Sequence, residues 1–244
     1  MGTLRYNQGD LDAALALYHE SLTISEQLGD LAGMSDSYHQ IGMVQHRRGN
    51  YDAALSLYQK SLKISKHLGD RASICKSFGQ MGTVQYLRGD YDAALALYHE
   101  SLTISEQLGD LAGMSKSYHQ IGIVQQTRGD YDAALSLYQK SLKISEQLSN
   151  LRSISTSYHQ MGMLKHDRGD YADALTFFEK SLKIEEQLRD LAGLSNTYWA
   201  LGLTYRQLQR DQEACQALRR AQQLFQQMKV PVPEDITENL KSCL

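Results

Sequence analysis

Proline is nearly absent from this chain of 244 residues: the only two are Pro231 and Pro233, so nothing upstream of them forbids uninterrupted helix. Long apolar runs are absent too. No segment approaches the roughly 18 apolar residues of a membrane span, and Met1-Gly2-Thr3-Leu4-Arg5 contains no apolar signal core. The expectation is a soluble, cytoplasmic protein. Cysteines are few, odd in number and unpatterned: Cys75, Cys215 and Cys243. They predict a reducing compartment and neither a disulfide framework nor a zinc motif. Nor does one sign of charge dominate. With 25 Lys and Arg against 28 Asp and Glu, the net charge of −3 gives no field for a phosphate backbone or an anionic membrane. Nucleic acid is therefore the weakest partner class. Gly-rich phosphate loops, a G-x-S-x-G elbow and paired-carboxylate sites are missing as well, so the chain is expected to be no enzyme and to carry no cofactor.

What the sequence has in abundance is self-similarity. Gly9-Asp10, Gly49-Asn50, Gly89-Asp90, Gly129-Asp130 and Gly169-Asp170 recur at a fixed interval. Ile41-Gly42, Met81-Gly82, Ile121-Gly122, Met161-Gly162 and Leu201-Gly202 do the same. A longer period is superimposed: residues 9–44 and 89–124 differ only at Leu11/Tyr91, Asp36/Lys116 and Met43/Ile123, the signature of a duplicated two-repeat block. A chain of this length would be long for one core, a limit that repeats escape because each packs only on its neighbours.

Within one unit the apolar spacing is helical. Leu31, Met34, Tyr38, Ile41 and Val44 follow steps of three and four, as do Tyr51, Ala54, Leu55, Tyr58, Leu62 and Leu68. Each unit is thus a pair of helices, A at about 31–47 and B at about 51–68. Gly49 suits a left-handed helix end and Asn50 a cap for helix B, and Gly69-Asp70 repeats that punctuation. Loops this short make neighbouring helices antiparallel. Gly42, Ala54 and Ser61 supply small residues for close approach.

The pattern Tyr38-x2-Ile41-Gly42, Gly49-Asn50-Tyr51-x2-Ala54, Tyr58-x2-Ser61 resembles the tetratricopeptide repeat over about residues 1–228. It differs in its 40-residue unit and in carrying Lys66 where the family's closing proline would stand. It is similar to the long-repeat branch found in spindle-orientation adaptors, kinesin light chains and bacterial signalling proteins. The resemblance implies an all-α, right-handed superhelical solenoid of antiparallel helix pairs, with A helices on the concave face. A truncated first repeat at 1–30 is followed by full repeats at 31–70, 71–110, 111–150 and 151–190. A divergent last repeat spans 191–228, and 229–244 forms a capping segment with a helix from about Glu234. Met1 aligns with Ile41, inside helix A, so the front of the first A helix is missing and its B helix loses cover.

Carried onto this sequence, the family's groove positions form ladders on the A helices. One is His39, Gly79, His119, His159 and Trp199; another is Gln40, Gln80, Gln120, Gln160 and Ala200. A third is Met43, Thr83, Ile123, Met163 and Leu203, and a fourth His46, Tyr86, Gln126, His166 and Arg206. Asp36, Lys76, Lys116, Thr156 and Asn196 flank them. A glutamine amide both donates and accepts, so the second ladder could grip the backbone of an extended peptide or simply link helices. The candidate peptide-binding residues are therefore His39, Gln40, Met43, His46, Lys76, Gln80, Tyr86, Lys116, His119, Gln120, Ile123, His159, Gln160, Met163, His166, Trp199 and Arg206. Metal is disfavoured. His39 and His46, like His159 and His166, are two turns and about 10 Å apart along a helix, not at the i, i+4 spacing of a zinc pair. Tyr38, Phe78, Tyr118, Tyr158 and Tyr198 are expected to pack in the core, whereas Trp199 and Tyr86 project into the groove as anchors. The lysines favour an acidic or neutral extended ligand. The functional expectation is a non-catalytic protein or peptide scaffold. Alternatives are a module that self-associates through its N-terminal face, or an accessory region of a larger signalling enzyme.

Overall fold

The computed structural model describes residues 1–243, and all its regular structure is α-helix. In chain order the helices are α1 (Gly2–Asn7), α2 (Leu11–Leu28), α3 (Leu31–Arg47), α4 (Tyr51–Leu68), α5 (Arg71–Leu87), α6 (Tyr91–Leu108) and α7 (Leu111–Thr127). They continue with α8 (Tyr131–Gln147), α9 (Leu151–Asp167), α10 (Tyr171–Leu188), α11 (Leu191–Gln207), α12 (Asp211–Gln227) and α13 (Glu234–Lys241). Two compact units emerge, Met1–Val124 and Gln125–Leu244. Within each, helix packs on the next helix in sequence, most extensively inside the pairs α3/α4, α5/α6, α9/α10 and α11/α12.

The expected A and B helices are α3 and α4. Their closeness rests on glycine. A Cβ on Gly42 would lie 2.7 Å from Tyr58 Cε1, and one on Gly162 would lie 2.6 Å from Phe178 Cε1, distances at which atoms overlap. The ring of helix B is thus seated directly against the bare backbone of helix A. Tyr58, Tyr138 and Phe178 are fully enclosed in this way. Gly2 stands in the same relation to Tyr18.

Arg-Asp pairs recur one repeat apart along the outside of the helix ends: Arg48 to Asp12, Arg88 to Asp52 at 2.6 Å, and Arg168 to Asp132 at 2.7 Å. Each is exposed and contributes about 0–1 kcal/mol. Gly49 ends the stretch between α3 and α4 at φ +78°, as expected. In unit 2 Gln209 takes that left-handed position at φ 57°, and Ser149 and Arg189 take the B-to-A counterpart of Gly69 at φ 51° and 53°. Asp70 caps α5 by accepting from Ser73 N at 3.1 Å. Asn50, expected to cap α4, makes no such bond; its amide donates instead to Gln45 Oε1 at 2.8 Å. Residue type alone does not decide this: Asn150 caps α9 by accepting from Ser153 N at 3.2 Å, whereas Asp170 makes no cap bond to α10 and pairs with Lys165 Nζ at 3.2 Å.

The end of the chain brings a correction. Cys215 and Cys243 form a disulfide, contrary to the expectation of no disulfide. Two cysteines 28 residues apart carry no signal in sequence, yet α13 folds back on α12 and brings their Cα atoms to 5.7 Å. Ile236 is fully buried with Leu218 and Ala221, flanked by Trp199 and Leu240. α13 therefore covers the last repeat as the spacing of Ile236 and Leu240 suggested.

Candidate functional site

In unit 1 the wall is made by α3, α5 and α7. Asp36, Lys76 and Lys116 are exposed on it. His39 is half-buried with its ring tilted over Tyr58, centroids 5.4 Å apart. Burial holds the His39 imidazolium down to a pKa of about 4; the charges of Lys76 and Lys116 act in the same direction and Asp36 opposes them. Lys76 of α5 and Lys116 and Gln120 of α7 line one cavity between those helices. His119 is also brought to about 4, by burial.

Gln40, Gln80 and Gln120 are half-buried along this wall. Gln120 Nε2 donates to Thr83 Oγ1 at 3.1 Å, and Tyr98 Oη donates to the same oxygen at 3.2 Å. Thr83 gives its own hydrogen to Gly79 O at 3.0 Å. At Gln120, then, the amide links adjacent A helices. Met43 and Ile123 are half-buried, and His46 and Tyr86 lean on Tyr51 and Tyr91 with centroids 6.1 and 5.8 Å apart.

In unit 2 the wall is α9 and α11. His159 Nδ1 lies 2.9 Å from Thr197 Oγ1, and His166 Nδ1 lies 2.9 Å from Thr204 Oγ1. Both threonine hydrogens are already given away, to Glu185 Oε1 at 3.1 Å and to Ala200 O at 2.8 Å. Each histidine must therefore carry its proton on Nδ1 and donate to the threonine. Burial lowers the His166 pKa. His159, Met163, Asn196, Trp199, Ala200 and Leu203 line a cavity of about 210 Å³, with Gln160 half-buried on the same helix. Trp199 and Arg206 are engaged by α13. Trp199 Nε1 donates to Asp235 Oδ2 at 2.8 Å, and Arg206 Nη2 donates to Asn239 O at 2.8 Å and Ser242 Oγ at 2.6 Å.

The aromatics expected in the core, Tyr38, Phe78, Tyr118, Tyr158 and Tyr198, are half-buried rather than enclosed. Ammonium groups sit over several of these rings: Lys60 over Tyr38 at 5.3 Å, Lys66 over Phe78 at 5.5 Å and Lys180 over Tyr158 at 5.5 Å.

Beneath both walls lies a layer of hydroxyls that the repeat pattern alone did not announce. Ser35 Oγ meets Ser61 Oγ at 3.0 Å and Ser65 Oγ at 2.8 Å. In the next repeat Cys75 Sγ replaces the first serine, 3.1 Å from Ser101 Oγ and 3.2 Å from Ser105 Oγ. Further along, Glu185 replaces the third serine and is only 3% exposed. Burial pushes its carboxyl pKa up, Ser181 and Thr197 oppose the shift, and the Asp190 charge adds to it. Ser181 Oγ lies 2.8 Å from both Ser155 O and Glu185 Oε1, and Glu185 Oε2 has no partner. Ser181 has one hydrogen for two acceptors. A protonated Glu185 resolves the conflict by donating to Ser181, which donates to Ser155 O. The interval at Ser65, Ser105, Ser145 and Glu185 was readable as a departure from the repeat.

The sequence profile of the tetratricopeptide repeat matches residues 1–67, 73–147 and 153–227. The chain belongs to the tetratricopeptide repeat family. No curated protein matches this tetratricopeptide repeat chain significantly. Among solved structures it is similar to BtubC (BKLC) from P. vanneervenii, at 20% identity and TM-score 0.77, covering 91% of this chain and 94% of that one. A Rap protein complexed with Competence and Sporulation Factor gives 14% identity and TM-score 0.73 over 93% of this chain and 68% of that one. MamA gives 18% identity and TM-score 0.54 over 78% and 97%. At these identities the likeness shows the fold, a solenoid of helix pairs, and the tetratricopeptide repeat is an interaction scaffold. Among the described residues no helix is long and apolar enough to cross a membrane.

Proposed function

We propose that the chain is a non-catalytic scaffold that binds an extended peptide or protein segment on the A-helix walls. The observation that carries this reading is the convergence of α5 and α7 on one open cavity, lined by Lys76, Lys116 and Gln120. Helices that converge this way leave a wall whose outer residues are not consumed by packing. Lys76 and Lys116 outnumber Asp36 there, which favours an acidic or neutral ligand. The Rap neighbour, which was crystallised with a bound factor, is consistent with a fold suited to holding a ligand. Replacing Gln80, Gln120 and Gln160 together by Ala is expected to weaken a display-selected peptide by at least about tenfold, while the melting temperature moves by only a few degrees. Calorimetric titration of wild type and triple variant checks both; unchanged affinity rejects the ladder as a peptide grip.

A second reading, self-association of two copies through α2, has one observation in its favour. Ile24 is 48% exposed and Leu28 76%, whereas Ile144, at the position of Ile24 in a later repeat, is 9% exposed. Light scattering across a hundredfold range of concentration decides it: a constant monomer mass excludes this arrangement.

A further inference from the structure

One rung of the ring ladder is empty. His39, His119, His159 and Trp199 place rings on the wall; at the same position α5 carries Gly79. Its presence is not explained by folding. Gly79 lies in the middle of α5 with no unusual backbone angle, and a Cβ there would meet only Ser101 Oγ, at 3.8 Å. Gly42 and Gly82, by contrast, are forced by the ring pressed against them. Glycine in a helix interior weakens the helix relative to any ordinary residue, so Gly79 costs stability without relieving a clash.

What the omission creates is a cavity of about 270 Å³ between α5 and α7, floored by Ser101 and Leu108 of α6. Cys75 lines it one turn before Gly79. Ser35, Ser115, Ser155 and Ser195, at the same position in other repeats, are all buried, whereas Cys75 is partly exposed. The missing side chain has uncovered the layer beneath. Lys76 and Lys116 stand at the mouth, and Gln120 is fixed beside it by its bond to Thr83. The small walls, Ala72, Gly79, Ala112 and Gly113, leave room for one planar group.

The geometry points to a specificity pocket that receives one aromatic side chain of the bound peptide, the ligand's ring taking the seat that the protein's own rings take in the other repeats. This inference rests on the peptide-binding reading and deepens it: Gly79 sets which ligand residue is anchored and hence the register of the whole peptide.

The test is a selection of phage-displayed random peptides on wild type and on Gly79→His, which restores the ladder residue. Gly79→His is expected to melt at or above the wild-type temperature, because a helix-interior glycine is removed. Selected peptides should share an aromatic residue at one fixed position and lose about 30-fold or more in affinity for Gly79→His, the loss of a central anchor. Gly79→Ala, which leaves most of the cavity, should bind within about threefold of wild type. A readout that needs no variant is alkylation of Cys75 by iodoacetamide: peptide at ten times its Kd should slow it about tenfold. Peptides without a shared ring, peptides bound equally by Gly79→His, or an unchanged alkylation rate each overturn the pocket and leave the wall reading standing. If no peptide is enriched on either protein, both readings fall.

Discussion

Moving from pH 7 to pH 4 is expected to lower the free energy of unfolding by about 5 kcal/mol through His39 and His119. Both titrate near 4 in the folded chain, against an ordinary value of 6.5. For a base with a depressed folded pKa, the unfolded chain takes up its proton first. Stability is therefore fully present above about 6.5 and is lost as the pH falls toward the folded value. A tenfold loss of proton affinity on folding corresponds to about 1.4 kcal/mol, which would give roughly 3 kcal/mol per histidine by pH 4. Screening at their partly exposed edges trims this to about 2–3 kcal/mol each. Glu185 has the opposite sign. Its raised pKa gives stability that is present at low pH and lost as the pH rises through its folded value, so Glu185→Gln should gain on wild type toward alkaline pH. Urea unfolding at half-unit pH steps measures both limbs. The double variant His39→Gln/His119→Gln should flatten the acid limb, and an acid slope identical to wild type would show that other groups carry it.

Tyr58→Ala is expected to cost about 3–5 kcal/mol, the range for deleting a large ring from a packed interior, whereas Tyr58→Phe should be neutral or stabilising by up to about 1 kcal/mol. The ring and its hydroxyl act in opposite directions here. The ring is fully enclosed against Gly42, and nothing could refill its place. The hydroxyl is buried without a hydrogen-bond partner, and desolvation drives its pKa up. Tyr18 shares the buried, unpartnered hydroxyl, but other equivalents avoid it: Tyr98 donates to Thr83, Tyr138 donates to Gln126 at 2.8 Å, and the last full repeat carries Phe178, with no hydroxyl at all. Thermal and chemical denaturation of the two variants gives both values. A Tyr58→Phe protein destabilised by more than about 1 kcal/mol would mean that the hydroxyl is satisfied in solution.

The repeat made most of the fold legible. Helices α3 and α4 fall where the three-four spacing places them, because a pattern repeated this often overrides the ambiguity of any single segment. The glycine before helices α2, α4, α6, α8 and α10, and glycines such as Gly42 and Gly162 beneath B-helix rings, were visible for the same reason. What escaped was whatever depends on one repeat alone. Asn50 sits at the N-cap, but whether its amide turns to the helix or to Gln45 is settled by side-chain geometry. The Cys215–Cys243 bond depends on how α13 returns to α12, which no periodicity encodes. At the candidate site, the ladder positions were readable, but their occupation was not: Gln120 is partly spent on Thr83, and Trp199 and Arg206 are held by α13. The clearest signals of individuality were breaks in the pattern, Gly79, Cys75 and Glu185, each visible as a letter out of place, with chemistry that only the surrounding helices define.

The joint between a B helix and the following A helix carries a last consequence. At Gly33 a Cβ would lie 2.3 Å from Asp30 Oδ2 and 2.5 Å from Ser25 Oγ; at Gly113 the same atoms of Asp110 and Ser105 lie at 2.4 and 2.5 Å. Two joints eighty residues apart are thus interchangeable parts. A gene that copies or deletes that block hands the polypeptide a junction it already knows how to make, with no new surface to invent. Length becomes a quantity that recombination can adjust in whole steps, while point changes such as those at Gly79 or Lys116 give each step its own character.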